Sequence, residues 1–111
     1  MFSLRLFLLG AVGVSFGFAQ QTSITGRITD ESQAAVAGAK VLASTKGGGA
    51  TYATLTTENG SFQFPSVVAN DFVVRVEFPG FSPAEKTFSL LVGQTARIDI
   101  QLKPSAVSSD G

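Results

Sequence analysis

Residues 72–78 carry the cleanest alternation in the chain. Phe72, Val74, Val76 and Phe78 fall on one face, and Val73, Arg75 and Glu77 fall on the other. A period of two marks a half-buried β-strand. Six further segments follow the same rule. Residues 24–29 alternate apolar or small side chains with polar ones, and residues 39–45 put Ala39, Val41 and Ala43 on one face. Residues 50–56 are rich in Thr with Tyr52 and Leu55, a strand composition. Phe62 and Phe64 share a face of a short strand that Pro65 ends. Phe88 and Leu90 do the same in residues 86–91. Residues 95–102 place Ala96, Ile98, Ile100 and Leu102 inward, with Arg97, Asp99 and Gln101 outward.

Turn residues separate these segments. Lys46-Gly47-Gly48-Gly49 predicts a flexible hairpin connection, Glu58-Asn59-Gly60 a second hairpin, and Pro79-Gly80 and Gly93-Gln94 further reversals. Nothing after residue 23 has helical period. Seven short strands about ten residues apart predict an all-β fold, a seven-stranded antiparallel Greek-key β-sandwich. The alternating Phe and Val positions are its expected core.

Residues 1–19 stand apart. Arg5 precedes an apolar run from residue 6 to residue 18, which closes on Gly17-Phe18-Ala19 before the polar Gln20-Gln21-Thr22-Ser23. This is the layout of a secretory signal peptide. The run is short of the roughly 20 apolar residues that span a bilayer. The expected organisation is a signal-peptide helix at 1–19, a lead-in at 20–23, the sandwich at 24–103 and a disordered tail at 104–111. No membrane span is expected after cleavage. The expected location is exported: periplasmic, outer-membrane-associated or secreted.

Charge and chemistry then narrow the function. Arg5 leaves with the leader, so eight basic side chains become seven against eight acidic ones, net −1. The charges are interspersed, which gives no electrostatic footprint for nucleic acid. There is no Cys, so the domain must fold on its core alone, without disulfides. There is no His, which removes the usual general base and the usual zinc ligand. No catalytic, cofactor-binding or metal-binding residue and no cofactor is assigned. Asp30-Glu31 lacks the ligand spacing of a calcium loop, and Lys46-Gly47-Gly48-Gly49 lacks the rest of a phosphate loop.

The turns and strands together resemble the carboxypeptidase regulatory-like domain, a transthyretin-like or prealbumin-like sandwich. The resemblance rests on Gly26-Arg27-Ile28-Thr29-Asp30, Ala37-Gly38-Ala39-Lys40-Val41, the run from Thr56 through Asn59, Gly60, Phe62 and Phe64, then Val67 to Phe72, then Gly80-Phe81. The family usually has Pro at Ala37, Asp at Thr57, and Gly at Asn70 and Gln33. Asn70 is expected to visit the left-handed region in place of that Gly. The resemblance implies a non-enzymatic exported accessory or interaction module, like those in the periplasm at the N-terminus of TonB-dependent outer-membrane receptors. Here the chain stops at Gly111 with no plug or barrel, so a shortened relative, a gene fragment or a free-standing version is expected. Related sandwiches that hydrolyse purine-derived rings or cleave aromatic rings depend on His. Related adhesins form Lys–Asn isopeptide bonds, but here the corresponding strands hold Arg27 and Asp99. The alternative function is a free-standing secreted module that binds carbohydrate or peptide. Tyr52, Phe78 and Phe81 are its candidate aromatic platform. The expected partner is therefore protein or carbohydrate, and the Thr-rich strand at 50–56 is a candidate edge for strand addition. The oligomeric state is left open.

Overall fold

A computed structural model describes residues 21–105. The expected signal-peptide helix at 1–19 and residues 106–111 of the expected tail lie outside the described residues. The described chain is all β, in two sheets packed face to face. The strands are β1 (Ser23–Thr29), β2 (Lys40–Thr45), β3 (Thr51–Leu55), β4 (Ser61–Phe64), β5 (Asn70–Glu77), β6 (Ala84–Leu90), β7 (Thr95–Arg97) and β8 (Ile100–Gln101). One sheet runs β3-β2-β5-β6. In the other, β1 is central, with β4 on one side and β7 then β8 on the other.

The alternation does what period two requires. Ile24, Ile28, Ala39, Val41, Ala43, Phe72, Val74, Val76 and Leu102 have no exposed surface. Phe62, Phe64, Leu90, Ala96, Ile98 and Ile100 join them in one core. Full burial of each large side chain contributes on the order of 2 kcal/mol. Phe72 stacks on Phe88 at 6.0 Å, tying β5 to β6 through their inner faces.

Four expectations need correction. The strands number eight, because residues 95–102 form two short strands. Their pairing offset to β1 is constant: Ser23 faces Thr95 and Ile28 faces Ile100. The break lies at Ile98-Asp99, where the Asp99 carboxylate accepts the Arg27 N–H at 3.0 Å in place of a ladder carbonyl. The fold is also not wholly antiparallel. Each connection reverses the chain, so β1 and β7 point the same way after six reversals and pair in parallel. The turn at Glu58-Asn59-Gly60 is not a hairpin between paired strands. Gly60 (φ 76°) donates to the Thr57 carbonyl and Thr57 donates to Ser61, but β3 and β4 then enter different sheets. Asn70 lies in β5, paired with Leu90, and its φ is not positive. The left-handed non-glycine residue among the described residues is Gln33, at φ 73°.

Every strand runs between two ends of the sandwich. The near end, where β1 begins, carries loops 46–50, 65–69 and 91–94. The far end carries loops 30–39, 56–60 and 78–83, and Ser105 donates there to the Gly80 carbonyl.

Candidate interaction site

Strand β3 forms one margin of its sheet. Lys40 to Ser44 of β2 pair with Leu55 back to Thr51, and no described strand pairs with its other side. Both flanks of β3 are pinned. At its start, Thr45 Oγ1 accepts the Gly49 and Ala50 amides at 2.9 and 3.0 Å, so the triglycine turn is held by a buried hydroxyl. At its end, Thr56 Oγ1 donates to the Val36 carbonyl at 2.6 Å and accepts the Ala39 N–H at 2.9 Å. Between them, Tyr52 packs on Phe64 and Phe72, each at 6.2 Å between centroids, and its hydroxyl accepts the Val68 N–H at 3.1 Å.

The result is a margin with no Pro and no charged side chain from Thr51 to Leu55. Natural edges are usually protected by one or the other. Strand β4 ends the facing sheet on the same side. The two margins enclose a groove of about 310 Å³ lined by Thr25, Thr54, Leu55, Ser61, Phe62 and Gln63. Its walls offer hydroxyls, an amide and two apolar side chains, a surface suited to an extended backbone.

The three aromatic residues picked from the sequence separate into two places. Tyr52 faces the core, as above. Phe78 and Phe81 come together at the far end, 5.9 Å apart and tilted at 45°. With Pro79, Pro83, Lys40 and Glu77 they line an open cleft of about 440 Å³. Sequence reasoning missed both the groove, which joins Thr25 of β1 to residues of β3 and β4, and the full set of residues in this cleft.

Asp30, Glu77 and Glu85 have structural partners. Asp30 Oδ1 accepts the Ser32 hydroxyl at 2.7 Å and the Ser32 and Ala34 amides at 2.8 and 3.0 Å. The Ser32 hydroxyl first, then the Ala34 and Ser32 amides, hold this carboxyl below the usual Asp range. Arg75 reaches Glu77 at 2.8 Å and Glu85 at 2.9 Å on the outer sheet face. Its hydrogen bond lowers the Glu77 carboxyl, and Glu77 ahead of Glu85 raises the Arg75 guanidinium. Glu31 lies exposed beside Asp30. No cluster of three potential metal-ligating side chains occurs among the described residues. Arg27 and Asp99 are exposed, as is Lys40.

The sequence matches the family described as the carboxypeptidase regulatory-like domain over residues 23–103. A comparison with curated proteins finds no significant match. Among solved structures, a putative carbohydrate binding protein from Bacteroides uniformis is similar at 26% identity and TM-score 0.59, over 74% of this chain and 41% of that one. A minor pilin of Streptococcus agalactiae is similar at 12% identity and TM-score 0.66, over 84% and 48%. The 5-hydroxyisourate hydrolase of Klebsiella pneumoniae is similar at 17% identity and TM-score 0.60, over 81% and 92%. The chain spans less than half the length of the first two. The likeness to the pilin and the hydrolase is one of fold.

Proposed function

Because the chain belongs to the carboxypeptidase regulatory-like domain family, we propose that it is a non-enzymatic module of the bacterial envelope that engages a protein partner by strand addition at β3. The single observation that carries this reading is the unpaired, uncharged, Pro-free margin of β3, opening on a groove shared with β4. Main-chain hydrogen bonds along such an edge supply affinity, and the groove supplies side-chain selection. The absence of His and Cys from the whole chain supports a role without catalysis. The apolar leader supports export. In the arrangement that the sequence resemblance implies, the module sits in the periplasm ahead of the plug and barrel of a TonB-dependent receptor.

Titration of the isotope-labelled protein with a synthetic peptide of residues 50–56, an edge-strand mimic, tests the edge. Binding is expected to shift the β3 amides and slow their hydrogen exchange. Shifts confined to β6, or none at millimolar peptide, would refute strand addition at β3. Fractionation of cells that express the full chain tests export, with retention in the cytoplasm as the contrary result.

A second reading has its own observation. The Phe78–Phe81 pair forms an aromatic corner with Lys40 and Glu77 at hand, and the 26% identical neighbour is described as a putative carbohydrate binding protein. Under this reading the far-end cleft takes a sugar face. Retention on a polysaccharide resin that Phe81→Ala abolishes, and that Ala53→Lys leaves alone, would select it over strand addition.

A further inference from the structure

Three of the four exposed large hydrophobic residues of the described chain gather at the near end of the sandwich: Val68 (48% exposed), Leu91 (69%) and Val92 (82%). The fourth, Leu55, lies at the opposite end of β3. The gathering is built by hydrogen bonds to one residue. The Thr22 carbonyl accepts the Val67 N–H at 2.9 Å, and the Thr22 hydroxyl accepts the Gly93 N–H at 2.8 Å. Val68 and Val92 are the immediate neighbours of those two donors. Ala69, Leu90, Leu91 and Val92 then line one side of a depression of about 420 Å³ whose other side is polar, with Asn70, Asp71 and Ser89. Loop tips are normally polar, and a contiguous apolar patch on a small domain marks a contact surface.

The near-end loops, residues 46–50, 65–69 and 91–94, contain one charged side chain, Lys46, and the exposed Asp71 opens β5 beside it, its carbonyl accepting the Lys46 N–H at 2.9 Å. The far-end loops contain three acids, Asp30, Glu31 and Glu58. The chain that precedes the domain also reaches it here. Thr22 sits at the near end, and the 13-residue apolar run of residues 6–18 is joined to it by three residues. While that run is attached, the near end is the part of the domain closest to whatever bilayer the run enters.

We propose that the near end of the sandwich is a membrane-contact surface, with Leu91, Val92 and Val68 dipping into the lipid headgroup region and Lys46 beside anionic headgroups. Apolar loop tips and a flanking cation are the combination that holds a protein at an interface. The orientation leaves β3 and its groove upright on the side of the domain and directs the Phe78–Phe81 cleft away from the membrane. The inference goes beyond strand addition and does not depend on it.

The absence of Cys allows a direct test. Val92→Cys in the full chain, labelled with an environment-sensitive fluorophore, is reconstituted in phosphatidylethanolamine–phosphatidylglycerol vesicles. The comparison carries the label at Glu58→Cys, an exposed far-end position. A blue-shifted emission at 92, quenched by nitroxide lipid, with an aqueous emission at 58, is the expected result. Adding Leu91→Ser and Val68→Ser to the labelled chain is expected to return the emission at 92 toward its aqueous value. An aqueous emission at 92, equal immersion at both positions, or no effect of the two Ser substitutions overturns the proposal. So does a lipid-free blue shift that grows with protein concentration, which would assign the patch to a second copy. None of these readouts involves export or the β3 edge, so a failure here is separable from a failure of the proposed function.

Discussion

The carbonyl oxygen of Ile98 occupies the space that a Cβ on Gly26 would need, and the Phe62 ring closes the same space, with Cε1 2.7 Å from that position. Gly26 has an ordinary φ. Its role is close approach: the break between β7 and β8 turns the Ile98 carbonyl over the middle of β1. Gly26→Ala must therefore push apart the central strand and its parallel neighbour. The expected loss is about 3 kcal/mol, at the upper end for overpacking, out of a total of roughly 5–15 kcal/mol for a small domain. Urea unfolding followed by circular dichroism checks it, and a midpoint within error of the parent would refute the close-approach account.

The buried hydroxyl of Thr56 replaces a missing piece of ladder. It donates to Val36 and accepts from Ala39, joining the loop before β2 to the end of β3. Thr56→Val keeps the shape and strands both backbone groups away from water. Each unsatisfied buried group costs about 1–3 kcal/mol, so a loss of about 2–3 kcal/mol is expected. Thr87→Val, exposed on β6 and without a side-chain hydrogen bond, serves as the control in the same thermal melts. Equal effects of the two would place the energy elsewhere.

Much of this fold was legible because burial in a sheet is a local, period-two property. Val41, Phe72, Val74 and Val76 could be assigned to the core from their neighbours alone. Pairing is not local. Asn59-Gly60 specifies a reversal but not which sheet the next strand joins, and the parallel alignment of β1 with β7 follows from the number of reversals between them. The β3 edge was visible as a Thr-rich segment free of charge. The groove beside it was not, since Phe62 and Gln63 reach it from the other sheet. Tyr52 shows the same limit: a lone Tyr reads as a platform until Phe64 and Phe72 are seen beneath it. The near-end patch was hidden because loops 65–69 and 91–94 are joined only through Thr22, which accepts from Val67 and Gly93.

Gln33 stands at φ 73° where the family usually has Gly. Left-handed backbone costs a non-glycine residue roughly 1–2 kcal/mol, and the greater freedom of Gly in the unfolded chain offsets part of that gain. Gln33→Gly is expected to stabilise by about 0.5–1 kcal/mol. Near the melting temperature this is a rise of about 2–8 °C for a domain of this size. An unchanged or lower Tm would show that the loop relaxes at no cost.

Asp30 and Glu77 make folding sensitive to acid. Both carboxyls are held below their ordinary values in the folded protein, Asp30 by Ser32 and Ala34 and Glu77 by Arg75. Their contribution is therefore complete above about pH 4–4.5, the unfolded range, and is lost as pH falls through the lowered folded values. The Tm is expected to fall below about pH 4. Asp30→Asn is expected to lower Tm at pH 7 and to flatten the acid decline. A variant with the parent's pH profile would remove Asp30 from the account.

Ala53 is exposed at the middle of β3, with its partner Leu42 on the inner side of the edge. A charge there is the device by which sheet edges resist added strands. Ala53→Lys is expected to leave the melting temperature within about 2–4 °C, since exposed substitutions usually change stability by no more than about 0.5 kcal/mol. It is expected to weaken binding of the residues 50–56 peptide at least about tenfold, the equivalent of about 1.4 kcal/mol. Lys86→Ala on the opposite margin, β6, is the matched control and should bind as the parent does. Isothermal titration of the three proteins separates the outcomes. Equal affinity in all three would mean that the peptide docks away from β3, and weakening by Lys86→Ala alone would move the site to β6.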